Sequence, residues 1–548
     1  MSKIKIFALG GLNESGKNMY VIEVDKDIFI FDAGLKFADD KMLGVDYIIP
    51  EFSYVKENIK RIKGIFLTHA HEKYIGAITN IVREVPDINV YATKFTCELL
   101  RREFDSENIE FNNLKQIFPH KKISFGKNSI FPVSVTNSVP DSVGYVLNTI
   151  DGAIVYTGNF VFDSSMTGAY KTDIGKLAYI GKQGVLCLMS ESEYADKPGY
   201  TAPNNRIGNT IKDVLMHNEG RIFITVFSNQ ISRIQEVFNE VSNTHRKIVI
   251  MGKKLQLLIN YIIDQGYITF DKNQIGNLTN VDDSDSVILI SNENEKPFMN
   301  IDRIINGYDK YIKLNENDTM FFLEPAQVGM EKKSAKISDE LSKLGVNVIN
   351  LSAKTNLLNH ASQEDLMLML NLMEPKYYFP VIGEYRNQVE NASIAEFLGM
   401  NKENILLKQN GDVVCFENGK LVDKFEHIKI DTLLIDGDAS QDIGELVLKD
   451  RELLSENGIV IICATLNKRT KEILAGPEVL TRGFIYVKEN IDIIEKMKEI
   501  SLEVINSNIS NNYVEFNKIK TGIRDELGKY LYTETECKPM IITVINEI

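Results

Sequence analysis

Tryptophan is absent from this 548-residue chain, and proline (13), histidine (7) and cysteine (5) are scarce. Cys97, Cys187, Cys415, Cys463 and Cys537 lie far apart, are odd in number and form no Cys-x-x-Cys pair. That excludes a disulfide scaffold and a zinc ribbon, and it predicts buried thiols in a reducing compartment. Few prolines, no internal repeat and no low-complexity tract exclude long flexible tethers, so the domains should pack closely. No apolar run approaches the ~18 residues of a membrane span, and the opening MSKIKIFALGG lacks the long apolar core of a signal peptide. The expectation is a cytoplasmic protein with no membrane partner. Positive charge is short too: 62 basic residues face 76 acidic ones, a formal charge of −14. The average field repels phosphate, so any nucleic-acid site has to be a local basic patch.

What is present is an ordinary globular composition, 44% hydrophobic and 25% charged. The length implies about three or four domains. Residues 3–9 alternate apolar and polar, residues 19–24 and 28–31 flank the charged turn Asp25-Lys26-Asp27 as a hairpin, and residues 64–67 form a short apolar strand. The first 160 residues as a whole read as strands linked by tight turns. From about residue 204 the pattern changes: strand 221–227, helix 231–241, strand 247–251, helix 255–265. Strands 286–291 and 318–323, helix 336–344 and strand 346–351 complete the block. Such alternation predicts a parallel sheet covered on both faces. A second alternating block begins near residue 430, with strands at 459–463 and 539–544 and an amphipathic helix at 491–505.

Thr68-His69-Ala70-His71-Glu72-Lys73-Tyr74-Ile75-Gly76 follows the strand 64–67, and two histidines at i and i+2 after a strand can reach one metal ion. Alone, His-x-His specifies little. The run Gly10-Gly11…Gly16-Lys17 is no P-loop, because Asn18 follows the lysine where Ser or Thr is needed. His120, His217, His245 and His427 lie in unrelated segments and read as surface or core fillers.

The surroundings of the histidine pair carry more. ALGGLNESGKNMY (residues 8–20), Asp32-Ala33-Gly34-Leu35-Lys36-Phe37 and Met42-Leu43-Gly44 precede it. Asn137-Ser138-Val139-Pro140-Asp141-Ser142, Tyr156-Thr157-Gly158-Asn159-Phe160 and Ser190-Glu191-Ser192…Pro198-Gly199-Tyr200-Thr201 follow. Then come His360-Ala361-Ser362-Gln363-Glu364 and Pro380-Val381-Ile382-Gly383-Glu384-Tyr385-Arg386. Leu448-Lys449-Asp450-Arg451 and Gly476-Pro477-Glu478…Arg482-Gly483-Phe484-Ile485-Tyr486-Val487 complete the order. This series resembles the ribonuclease J family along nearly the whole chain. The resemblance implies an α/β fold: a metallo-β-lactamase αββα sandwich core with an inserted β-CASP α/β domain and a small C-terminal α/β domain. On that basis residues 1–203 are the first part of the core, 204–345 the β-CASP insert, 346–430 the returning core segment, and 431–548 a linker and C-terminal dimerisation domain.

The resemblance also implies two zinc or manganese ions that generate a hydroxide and clamp the scissile phosphate. Of the family's ligand positions, His69 and His71 keep a ligand; Lys73, Tyr74, Asn137, Asn159 and Ile382 occupy the rest. Lysine brings a positive charge to a dication's place, isoleucine has no lone pair, and neutral asparagine bridges two metals poorly. No metal cofactor is therefore expected, the two histidines are vestigial, and no residue is assigned a catalytic role. The family's phosphate-gripping His-x-Ser-Gly-His aligns with Asn356-Leu357-Leu358-Asn359-His360, which lacks the glycine and the hydroxyl of such a cradle. Residues 291–297 (SNENEKP) replace the family's Thr-Gly-Ser-Gln-Gly-Glu-Pro turn. Arg233, Lys253 and Lys254 either hold RNA phosphates or are solvated residues at helix starts. The expected protein is a silent or very weak RNA-binding member of bacterial RNA processing and decay, a homodimer or a hetero-oligomer with an active ribonuclease J paralogue. The alternatives are an active metal-dependent 5′-to-3′ exo- and endoribonuclease, maturing rRNA and degrading mRNA, and a scaffold for protein contacts alone.

Overall fold

The strand Lys3–Gly10 pairs antiparallel with Met19–Val24, which turns through Asp25-Lys26 into Asp27–Phe31. The predicted hairpin is thus the centre of a larger sheet. Its eight strands run in the order Lys420–Val422, Val414–Glu417, Lys3–Gly10, Met19–Val24, Asp27–Phe31, Ile62–Phe66, Val90–Ala92, Leu114–Gln116. A second sheet has six strands, ordered Tyr377–Pro380, Val185–Ser190, Gly152–Tyr156, Val143–Thr149, Asn128–Ser134, Ile123–Phe125. Aromatic side chains fill the layer between them: Phe31 meets Tyr145 and Tyr156, and Phe66 meets Tyr145 and Phe125, with ring centroids 5.7–5.9 Å apart. Offset and edge-on contacts of this kind add to what burial alone contributes. Helices Ile174–Gln183 and Gln363–Met373 pack on the outer face of the second sheet through Leu177, Ile180, Leu366, Met369 and Met373. The outcome is the αββα sandwich.

The computed structural model describes residues 2–39, 42–202, 206–291, 298–324, 330–352, 359–437, 445–485, 490–510 and 513–548. The chain divides into two units, Met1–Phe37 with Tyr47–Leu433, and Ala38–Asp46 with Leu434–Ile548. Within the first unit lies a five-stranded, all-parallel sheet in the order Lys247–Met251, Ser286–Ser291, Ile222–Val226, Thr319–Phe322, Asn347–Asn350. The alternating block beginning near residue 204 therefore folds as expected, with helices Ile231–Ser242, Lys253–Asp264 and Glu331–Lys343 between its strands. In the second unit, Ile459–Leu466 pairs antiparallel with Ile473–Arg482 and parallel with Met540–Glu547. Helices Ile491–Ser507 and Phe516–Thr535 bury Met497, Ile505, Ile519, Ile523, Leu527 and Leu531 against Val460, Ile462 and Leu466.

Two expectations need correction. The first 160 residues are not strands alone: helices Ser53–Asn58, Glu72–Ile75, Ile78–Glu84 and Lys94–Ser106 interrupt them. Ser53–Asn58 and Glu72–Ile75 are too short to display a 3.6-residue period, whereas Lys94–Ser106 does display one, burying Phe95, Cys97, Leu100 and Phe104 on one face. Of the cysteines, all free, Cys97, Cys187 and Cys415 are buried, whereas Cys463 and Cys537 are only half-buried. Among the described residues no helix is long and apolar enough to cross a membrane.

Candidate functional site

Thr68 to His71 leaves the C-terminal end of the strand Ile62–Phe66 and enters the one-turn helix Glu72–Ile75. The turn after Asp27–Phe31 holds this segment in place. Ala33 N donates to Tyr74 O at 2.7 Å and Leu35 N to Glu72 O at 2.9 Å. A side chain at Gly34 would put its Cβ 1.6 Å from Lys73 O, so only glycine permits the approach. Behind the histidines, buried Asp32 accepts from Thr68 N (2.8 Å), Thr68 Oγ1 (3.0 Å) and Tyr156 OH (2.8 Å). Burial pushes its pKa up to about 7 against those three donors.

With Asp32 ionised, the Thr68 hydroxyl donates its hydrogen bond to that carboxylate, so His69 Nδ1–H donates to Thr68 Oγ1 at 2.9 Å. That leaves the His69 Nε2 lone pair buried and without a partner. Burial, reinforced by His71 and His360, holds the His69 pKa well below its ordinary value. His71 is spent differently. Its Nε2 lies 3.0 Å from the carbonyl oxygen of Asn229, which can only accept, so Nε2 carries the proton and donates. Burial lowers the His71 pKa to about 3, although the Asn229 bond favours the charged form. Asn229 belongs to the loop after the strand Ile222–Val226; its Nδ2 also donates to Glu72 Oε2 at 3.1 Å, and Ser138 Oγ to its carbonyl at 3.1 Å. The five-stranded domain is thus bonded directly onto the histidine motif.

The remaining family positions converge on the same place, with different chemistry. Half-buried Lys73 donates from Nζ to Ser15 Oγ at 2.7 Å and lies 3.6 Å from Glu193 Oε1. Ser15 Oγ donates to that same carboxylate oxygen at 2.6 Å. Burial would raise the Glu193 pKa, but the charges of Lys73 and His360, with these hydrogen bonds, bring it below the usual value. Tyr74 is fully buried, its pKa driven well up by desolvation, and its hydroxyl donates to Asn159 Oδ1 at 2.5 Å. Asn137 Nδ2 donates to Asn159 O at 3.2 Å, while Asn137 Oδ1 accepts from Ser138 N at 2.6 Å. Asn159 Nδ2 is buried without a partner. Ile382 is buried with φ of 60°, its N–H donating to Tyr20 OH at 3.1 Å. A β-branched residue is a genuine outlier in that left-handed region.

Two divalent ions do not fit this donor set. Lys73 brings an ammonium already seated on Ser15 and Glu193, the Asn159 carbonyl oxygen is taken by Tyr74, and Ile382 offers nothing. Among the described residues no three His, Cys, Asp or Glu side chains come together in a way that could hold a metal ion. The nearby acids are engaged elsewhere: Asp141 accepts from Tyr267 OH at 2.5 Å, and Asp163 is paired with Arg206 and Ser165.

The other predicted positions separate. His360 joins the site: its Nδ1 lies 2.6 Å from Glu191 Oε2, and Glu191 Oε1 accepts from Phe160 N at 2.7 Å. Asn359 is buried beside it with Oδ1 unpartnered. Asn356, Leu357 and Leu358 lie outside the described residues, as does most of 291–297. Arg233 is wholly buried, its Nε 3.6 Å from Glu324 Oε2, so it is no solvated helix-start residue. Desolvation raises Glu324 to about 7 in spite of that guanidinium. Lys253 and Lys254 are exposed at the start of the helix Lys253–Asp264. Ser15, Glu191, Glu193 and Asn229 contribute as much to the site as the predicted residues do. Glu193 adjoins the quoted Ser190-Glu191-Ser192 and Ser15 lies inside the opening motif, but nothing local in the sequence marks Asn229.

Comparison with known proteins follows the same outline. Residues 12–169 match the metallo-beta-lactamase superfamily, residues 219–341 the beta-CASP domain of ribonuclease J, and residues 446–548 the ribonuclease J C-terminal domain. A protein named Ribonuclease J 2 from Staphylococcus aureus is 37% identical over 549 residues, covering 100% of this chain and 98% of its own. Its namesake from Staphylococcus epidermidis is 36% identical over the same span. A crystal structure of a protein of unknown function from Enterococcus faecalis covers 76% of this chain and 100% of its own, with a TM-score of 0.52 and 14% identity, a likeness of fold alone.

Proposed function

This chain belongs to the ribonuclease J family, and from that premise we propose that it works in RNA processing as an RNA-binding subunit without a working two-metal centre, in company with an active ribonuclease J. Lys73 carries the reading. An ammonium fixed between Ser15 Oγ and Glu193 Oε1 supplies one positive charge from within the protein, at a position where the family places a metal ligand. Two-metal hydrolysis needs ions that polarise the phosphoryl oxygen and lower the pKa of a bound water, and an ammonium does neither. The residues that match the family motifs are those that build the sandwich and its turns, such as Gly34 against the Lys73 carbonyl, so the fold is kept while the ligand positions differ. A subunit of that kind acts by adding binding surface or by stabilising its partner through mass action.

The test uses the full chain with a 5′-monophosphorylated RNA and zinc or manganese. RNA should be bound, and cleavage should match that of the His69→Ala/His71→Ala variant. A metal-dependent activity lost in that variant would overturn the reading. Sedimentation with and without the active paralogue tests the subunit role; a chain that ignores the paralogue at micromolar concentration contradicts it.

A further inference from the structure

Residues 111–140 contain four lysines and no aspartate or glutamate, in a chain whose net charge is −14. The fold gathers the basic part of this stretch at one margin of the sandwich. Leu114–Gln116 is the edge strand of the eight-stranded sheet and Ile123–Phe125 the edge strand of the six-stranded one. The connection between them exposes Phe118, His120, Lys121 and Lys122, and Lys127 lies in the turn that follows. That connection is firmly held: Ile117 is buried and its N–H donates to Ala92 O at 2.8 Å, while His120 N donates to Pro132 O at 2.8 Å. Yet Phe118 stands 53% exposed, with Lys121 Nζ 5.6 Å from its ring centroid; Lys115 Nζ lies 5.5 Å from the ring of Tyr91. His120 stacks on Phe131, with ring planes 21° apart. Two acids face the margin: Asp173 lies 3.7 Å from His120 Nε2, and Asp27 is paired with Lys63 at 2.9 Å. Among the described residues none of the four lysines has an ion pair.

Lysines on edge strands often serve only to block sheet-to-sheet aggregation. That accounts for Lys115, which lies on a strand, but not for Lys121 and Lys122 in the connection or Lys127 in the turn that follows. Still less does it account for an exposed phenylalanine, which invites the association such lysines prevent. A rigid loop presenting an aromatic face among unpaired cations matches the chemistry of single-stranded nucleic acid: phosphates meet lysines and a base stacks on the ring. We infer that this margin, Lys115 to Lys127, is a second RNA-binding surface sharing no residue with the histidine site, and that it holds single-stranded RNA by its backbone and by one stacked base. The inference rests on the RNA-binding reading above. An acidic protein segment would satisfy the lysines but would leave Phe118 without a purpose.

The experiment measures binding of a fluorescent uridine oligonucleotide of about 20 residues to the full chain over a range of salt concentration. Each phosphate contact to a single strand contributes about 0.7 to the log–log salt slope. The triple variant Lys115→Gln/Lys121→Gln/Lys122→Gln should therefore lower the slope by about 2 and weaken binding about tenfold or more. Phe118→Ala should weaken binding about fivefold or more with the slope unchanged, since stacking releases no counterions. Thermal midpoints should match the parent, because all four side chains are exposed. Variants that bind RNA as the parent does would overturn the second surface while leaving the RNA-binding reading intact. So would variants that change only self-association or binding of polyglutamate, which would mark a protein contact. A parent that binds no RNA would overturn both.

Discussion

A lysine ammonium and a divalent ion make different demands on their surroundings. A dication needs several negative or lone-pair donors drawn close; an ammonium is satisfied by one carboxylate and one or two neutral acceptors. The site is built to the second specification. Lys73 has Ser15 and Glu193, and the side chains around it bond within the protein: Tyr74 to Asn159, Asn137 Oδ1 to the Ser138 N–H, His71 to the Asn229 carbonyl, with His69 Nε2 and Asn159 Nδ2 left unpartnered. Ile382 retains a left-handed backbone that suits an unbranched polar residue better, and Tyr20 OH accepts its N–H there. Lys73→Met keeps the alkyl stem and removes the charge, leaving the Glu193 carboxylate with the Ser15 hydrogen bond and the charge of His360. Stability should fall by about 1–2 kcal/mol, a half-buried pair lying between the surface and interior cases. Urea denaturation of the two proteins at neutral pH measures the difference, and an unchanged midpoint would show that the ammonium has no such role.

At the scale of elements, the turn 32–35 and the turn 72–76 act as one piece. Gly34→Ala would drive a methyl into the Lys73 carbonyl, and backbone on both sides must move. The loss should exceed about 3 kcal/mol, the size of effect seen when backbone geometry is broken in a core. A thermal melt showing less than a few degrees of change would contradict this packing. These two turns also mark how far the sequence is legible. The parallel sheet of the insert can be read directly, because each strand is a short apolar run and each helix shows its period. Helix Phe516–Thr535 is equally periodic, with Ile519, Ile523, Leu527 and Leu531 at strict four-residue spacing. The identities at the site come from motifs, and motif order supplies them well. The partners do not: Ser15 lies 58 residues from Lys73, and Asn229 lies 158 from His71. Contacts at that separation depend on tertiary packing, within the core for Ser15 and between the insert and the core for Asn229, which no local pattern encodes.

Over the whole molecule, the first unit preserves both sheets, the inserted parallel sheet and the hydrogen bonds joining the insert to the histidine motif. The second preserves its three-stranded sheet and two long helices. On the proposed reading, a polar cluster with an ammonium and neutral amides at the positions that the family resemblance gives to metal ligands suits the holding of RNA or a partner rather than hydrolysis. The account stands on the claim that this cluster is not a metal centre. Elemental analysis tests that most directly, on the full chain saturated with zinc and manganese and then dialysed. The account predicts far less than one ion retained per chain, equal in the parent and in His69→Ala/His71→Ala. One or more tightly held ions per chain in the parent, lost in that variant, would contradict it.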